Sequence, residues 1–171
     1  MISIKNYLRK RQLENIQSMR LANEDDFFYI KDEVLLNKNK EWFQMELIYI
    51  PGAINIEINY KEVTGFVDWD YPYWIYTQAT CQMDNILEGK GFRLPHLESD
   101  ISLDVNVLSK DRYLIEYREG KNVKSRINCE RLIFLKSFFY SALEALKVAE
   151  RFGIDCSKEI NILEGGLLKL K

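Results

Sequence analysis

The stretch ISLDVNVLSKDRYLIEYREGKNVKSRINCERLIFLKSFFYSALEALKVAERF, residues 101–152, decides the fold class, because its apolar period changes near Glu130. Ile101, Leu103, Val105 and Val107 alternate with Ser102, Asp104 and Asn106. Tyr113, Ile115 and Tyr117 then alternate with Leu114, Glu116 and Arg118, and Val123, Ser125, Ile127 and Cys129 with Lys124, Arg126 and Asn128. A period of two marks strands that pack on one face and meet water on the other. Turn signals at Ser109-Lys110-Asp111 and Glu119-Gly120-Lys121-Asn122 join them into an expected antiparallel meander. Beyond Glu130, Leu132, Leu135, Phe139, Leu143 and Leu146 form a helical stripe that Phe134, Phe138, Ala145 and Val148 widen. That pattern predicts a helix from Glu130 to Phe152, buried on more than half its circumference and stopped by Gly153.

Upstream, Ile54, Ile56, Ile58 and Tyr60 alternate with Asn55, Glu57, Asn59 and Lys61, which predicts another strand after Pro51-Gly52. Phe43 to Ile50 reads as the strand before that turn, and Phe27 to Ile30 as a strand or turn. Ser3 to Ala22 reads as an amphipathic helix, capped by Ser3 and closed at Asn23, with Lys5, Arg9, Lys10 and Arg11 on its solvated face. Pro72 to Leu87 also reads as a helix: Pro72 suits the first position, and Ile75, Ala79, Met83 and Ile86 keep helical spacing. Ile160 to Lys171 admits either a short hairpin or an amphipathic tail. The expected architecture is α+β: one domain over residues 1–171, with an antiparallel sheet of about five strands. The long helix and the N-terminal helix cover one face of it.

Composition restricts the function. A chain of 171 residues with 47% apolar and 29% charged residues is long enough to bury a core without metal or disulfide staples. A net charge of -2 argues against general nucleic-acid binding, which depends on clustered Lys and Arg. No apolar run approaches a membrane span of about eighteen residues, and no signal-peptide core opens the chain, so a cytoplasmic location is expected. Cys81, Cys129 and Cys156 are too widely and unevenly spaced for a zinc site and read as free thiols. No cofactor or metal is called for. His96, the single histidine, lacks a nucleophile motif beside it and reads as a loop residue.

The segment Phe66 to Tyr76 departs most from ordinary core patterning, with six aromatics and two aspartates in eleven residues. Exposing all six rings would forgo on the order of 15 kcal/mol, comparable with a domain's whole net stability, so most belong to the core. Asp68, Trp69 and Asp70, with Tyr73 and Tyr76, remain as candidates for an aromatic and acidic surface that would suit a basic protein partner. Asp68 and Asp70 on one extended face would lie about 7 Å apart, but two adjacent positions of one strand cannot flank a scissile bond from opposite sides. In size, slight acidity, Ile-Lys-Asn-rich composition and lack of a catalytic constellation, the chain resembles small cytoplasmic bacterial proteins that act by binding another protein, toxin immunity proteins among them. The likeness implies a non-enzymatic protein-binding protein. An enzyme or small-molecule binder with a carboxylate-lined pocket near Asp68 and Asp70 is the alternative reading, and a homodimeric structural subunit a third. Because the long helix dominates the expected core, Leu143→Asp should abolish the cooperative thermal melt; a retained melt would contradict the helix assignment.

Overall fold

Two four-stranded antiparallel sheets share one contiguous apolar core with a long helix between them. The computed structural model describes residues 1–10, 23–41, 51–66, 70–97 and 99–170. The first sheet has the order β2-β1-β3-β4, built from β1 (Ile2–Arg9), β2 (Phe27–Tyr29), β3 (Gly52–Ile58) and β4 (Lys61–Thr64). The second has the order β5-β6-β7-β8, from β5 (Phe92–Pro95), β6 (Ile101–Ser109), β7 (Arg112–Glu119) and β8 (Asn122–Glu130). The helices are α1 (Glu33–Lys38), α2 (Pro72–Cys81), α3 (Met83–Leu87), α4 (Arg131–Arg151) and α5 (Ser157–Lys169). The class is therefore α+β, with the strands divided between two sheets. No helix among the described residues is long and apolar enough to cross a membrane.

The meander and the helix after it form where the pattern places them. Leu103, Val105, Tyr113, Ile115, Tyr117 and Cys129 turn inward and are buried. The pairing shifts register twice, between Val107 and Ser109 against β7, and between Tyr117 and Arg118 against β8, where Arg118 pairs with Val123. The second bulge leaves Val123 exposed instead of continuing the apolar face. Helix α4 begins directly after β8 and buries Phe134, Leu135, Phe138, Phe139, Ala142 and Leu146 completely. Arg131, its first residue, donates to Tyr113 Oη and reaches the carbonyls of Ile86 and Leu87, which fixes the end of α3 against the second sheet.

The N-terminal segment departs from expectation. Ser3 to Arg9 is strand, not helix, and residues 11–22 of the expected helix lie outside the described residues. The decisive period is the alternation of Ile2, Ile4, Asn6 and Leu8, concealed because Asn6 is a polar residue at an inward position. Asn6 is fully buried: its Nδ2 donates to the Ser141 carbonyl and hydroxyl at 2.8 Å each, and Tyr76 Oη donates to its Oδ1 at 2.6 Å. A buried amide is tolerated when partners replace its water, and here they come from α2 and α4. Asn23 has extended backbone (φ -130°), not the left-handed conformation of a helix-ending residue, and caps the short 3-10 turn Glu24–Asp26 through a capping box.

Three other expectations are refined. The β3–β4 hairpin turns at Asn59 and Tyr60, both at positive φ (52° and 63°), so Tyr60 is an exposed turn residue and not part of the strand. The Pro72 to Leu87 helix is present as α2 and α3, interrupted at Gln82. There the Gln82 amide donates to the Arg93 carbonyl, covering part of edge strand β5. Of the two readings of the C-terminal segment, the structure has a helix, with Gly166 facing Met83 and Phe139. The expected strand from Phe43 to Ile50 lies outside the described residues. Tyr76→Phe removes the donor to Asn6 and should cost about 1–2 kcal/mol in urea unfolding, with an unchanged fold.

Candidate functional site

Once Pro72 starts α2, the segment Phe66 to Tyr76 is constrained residue by residue. Tyr76 falls one turn after Pro72 and one before Ala79 and Thr80, all of them buried, so helical spacing points it inward. It is fully buried, and desolvation raises its phenol above the ordinary range. Tyr76 is therefore corrected from a partner-binding candidate to a core residue. Tyr73 is half-buried against the core, and burial raises its phenol. Phe66 packs edge-on to Tyr7, with ring centroids 4.8 Å apart, and tilted to Phe27 at 5.4 Å. Asp68 and Trp69 lie outside the described residues.

Asp70 is likewise corrected, from a surface acid to a buried joint. Its backbone forms a two-way bridge with Gly52, N–H to carbonyl, at 2.7 and 2.9 Å. Its carboxylate accepts from the Tyr71 N–H at 2.5 Å through Oδ1 and from the Leu97 N–H at 2.6 Å through Oδ2. One residue thus ties β3, through its backbone, to the start of α2 and the turn after β5, through its side chain, and so spans both sheets. A side chain at position 52 would lie 2.2 Å from the Tyr7 carbonyl oxygen and 2.9 Å from Pro72 Cγ, so only glycine permits the approach.

The second titratable group of this joint is His96. Its side chain is 5% exposed, and Nδ1 lies 3.4 Å from Asp70 Oδ2. Burial lowers the imidazole to about 4, so it is neutral near pH 7. Both side chains line a small cavity between the sheets, with Thr64, Ile75, Leu94 and Phe138 among its walls. Its space for water centres is about 20 Å³, which suits one water and no substrate.

The sequence reading also treated Glu116 as a solvent-facing position of β7. Glu116 is 3% exposed, because Arg118 and Arg126 close over it at 2.7 and 2.6 Å and Asn106 donates at 3.2 Å. Asp104 pairs with Arg93 at 3.2 Å and Arg118 at 3.4 Å, extending the row across all four strands. Arg118 hydrogen bonding leads the causes that hold the Glu116 carboxyl below its usual range. The signal was present in the acids and arginines alternating on the polar face.

A second concavity runs along the helices. Tyr140, Leu143, Lys147, Val148 and Arg151 of α4 face Glu164, Leu167 and Leu168 of α5 across an open groove of about 740 Å³. Tyr140 is 64% and Leu168 80% exposed. The rim charges are paired within the chain: Lys147 with Glu164 at 2.9 Å, Arg151 with Glu33 at 2.5 and 2.6 Å, and Glu144 with Lys31. Periodicity alone hid this groove, because Tyr140 and Leu168 lie off the buried stripes of their helices.

The three cysteines are free, Cys81 exposed and the other two buried. Burial raises Cys129 and Cys156 to about 11, which keeps both thiols protonated near neutral pH. Among the described residues, no cluster of three or more His, Cys, Asp or Glu side chains is arranged to hold a metal ion. Comparison of the chain with protein-family models, curated proteins and solved structures finds no match. Asp70→Asn replaces an acceptor-only group with an amide whose NH₂ opposes one of the N–H donors, and should cost about 2 kcal/mol or more in chemical denaturation.

Proposed function

We propose that the protein is a non-enzymatic binding protein, and that a second protein docks along the groove between α4 and α5. The observation that carries this reading is the pair of exposed side chains, Tyr140 and Leu168, at one concavity whose rim charges are already neutralised. Burying a leucine side chain gains about 2 kcal/mol, and tyrosines are enriched at interface hot spots. From Tyr140 to Arg151 the groove follows about 16 Å of α4, enough for two to three turns of an amphipathic helix. With its charges paired, the rim selects for apolar fit over net charge. The basic partner expected from sequence depended on Asp68 and Asp70 at the surface, and burial removes Asp70 from that argument.

A carboxylate-lined pocket does exist at Asp70, as the small-molecule alternative requires. Its capacity of about one water favours the groove over a ligand site at Asp70.

The groove is tested by Tyr140→Glu with Leu168→Glu. Both positions face solvent, so the melt should stay within about 0.5 kcal/mol of wild type. In affinity capture from the native cell, followed by binding of the purified partner, the double variant should bind at least tenfold more weakly. A control, Arg93→Ser with Arg126→Ser on the open sheet face, should bind normally. Equal binding by the groove variant contradicts the proposal, and so does groove-dependent self-association in light scattering, which would make the occupant a second copy.

A further inference from the structure

The joint at Asp70 holds a group that neither the fold nor the groove uses. His96 Nδ1 is buried and has no hydrogen-bond partner, although Asp70 Oδ2 stands 3.4 Å away. The backbone around it is tightly held: the His96 N–H donates to the Ile101 carbonyl at 2.9 Å, and the next N–H, that of Leu97, donates to the same Oδ2. Asp70 before α2 and Tyr117 of β7, its ring centroid 6.4 Å from the imidazole, are the titratable groups facing His96 among the described residues. The elements β3, β4, β6, α2 and α4 present only apolar or uncharged side chains to the cavity.

We propose that Asp70 and His96 form an acid-operated latch between the two sheets, in which one proton taken up by His96 puts a cation into the cavity and releases the turn after β5. The proton comes from solvent and no bond other than N–H forms. The release follows from competition between two terms. Attraction to Asp70 favours the imidazolium, but that carboxylate is already engaged by the Tyr71 and Leu97 N–H groups, while the cavity offers the cation room for about one water. Desolvation therefore prevails and keeps closed His96 at about 4, whereas an open, hydrated imidazole titrates at about 6.5. Between these values the open form binds more protons, so closure weakens as pH falls from about 6.5 towards 4. The ratio of closed to open latch should fall about 20-fold from pH 7 to pH 5.

Because the chain has one histidine, its imidazole C2–H resonance is unambiguous in proton NMR. That resonance should not titrate between pH 8 and about 5.5 in the folded protein. Amide-exchange protection at Leu97 and Tyr71, corrected for intrinsic rates, should fall about 20-fold between pH 7 and 5 while Ile115 and Leu146 keep theirs. His96→Gln should abolish the pH dependence at Leu97. A histidine midpoint near 6.5 with unchanged protection overturns the latch. So does an equal loss at Ile115 and Leu146, which would be global unfolding, or an undiminished pH dependence in His96→Gln. If that variant does not fold, the wild-type titration and exchange profile decide the matter alone.

Discussion

An amide and two hydroxyls meeting at the centre of an otherwise apolar core hold this molecule in register. Asn6 from the first sheet, Tyr76 from α2 and Ser141 from α4 satisfy one another where water does not reach. Apolar burial supplies the driving force, since Phe134, Phe138, Phe139 and Leu146 contribute fully buried side chains from one helix. Burial is nonetheless indifferent to small slides and rotations. A hydrogen-bonded triad is not, because any displacement strands a desolvated polar atom. The position of α4 against β1 and α2 follows, and with it the position of α5, which packs on α4 and forms the other wall of the groove.

A second polar tie works on the same principle at the seam between the sheets. Asp70 spends its carboxylate on backbone N–H groups from α2 and from the turn after β5, while its own backbone bridges to Gly52. Both of these interior ties join elements distant in sequence. On the open face of the second sheet the logic differs. Glu116 and Asp104 are paired by arginines from their own and neighbouring strands, which offsets the repulsion of two acids directly opposite each other.

Legibility in the sequence followed the strength of the apolar period. The meander from Ile101 to Cys129 and helix α4 have uninterrupted sequence patterns, and both form within the expected bounds, with only Val107 and Val123 turned out to solvent where the strand pairing shifts register. At β1 a buried polar residue, Asn6, occupies a core position, so the alternation of Ile2, Ile4 and Leu8 is masked and a helical spacing looks equally good. At Tyr76 and Asp70 the sequence misled for a related reason. Aromatic and acidic residues resemble a recognition surface, yet a hydroxyl or carboxylate in the interior is equally well served by partners that only the tertiary structure supplies. Tyr76 and Asp70 find such partners in Asn6, Ser141, Tyr71 and Leu97. The groove could not be read at all, because it depends on how α4 and α5 pack, and no single-helix pattern encodes that.

Asp70 and Tyr76 thus belong to the architecture, and the proposed recognition face lies along α4 and α5. Hydrogen–deuterium exchange of the protein with and without its captured partner tests that division most directly. Added protection should appear in residues 140–151 and 160–168, with residues 70–76 unchanged. Protection concentrated in residues 66–76, with none along α4 and α5, would contradict it.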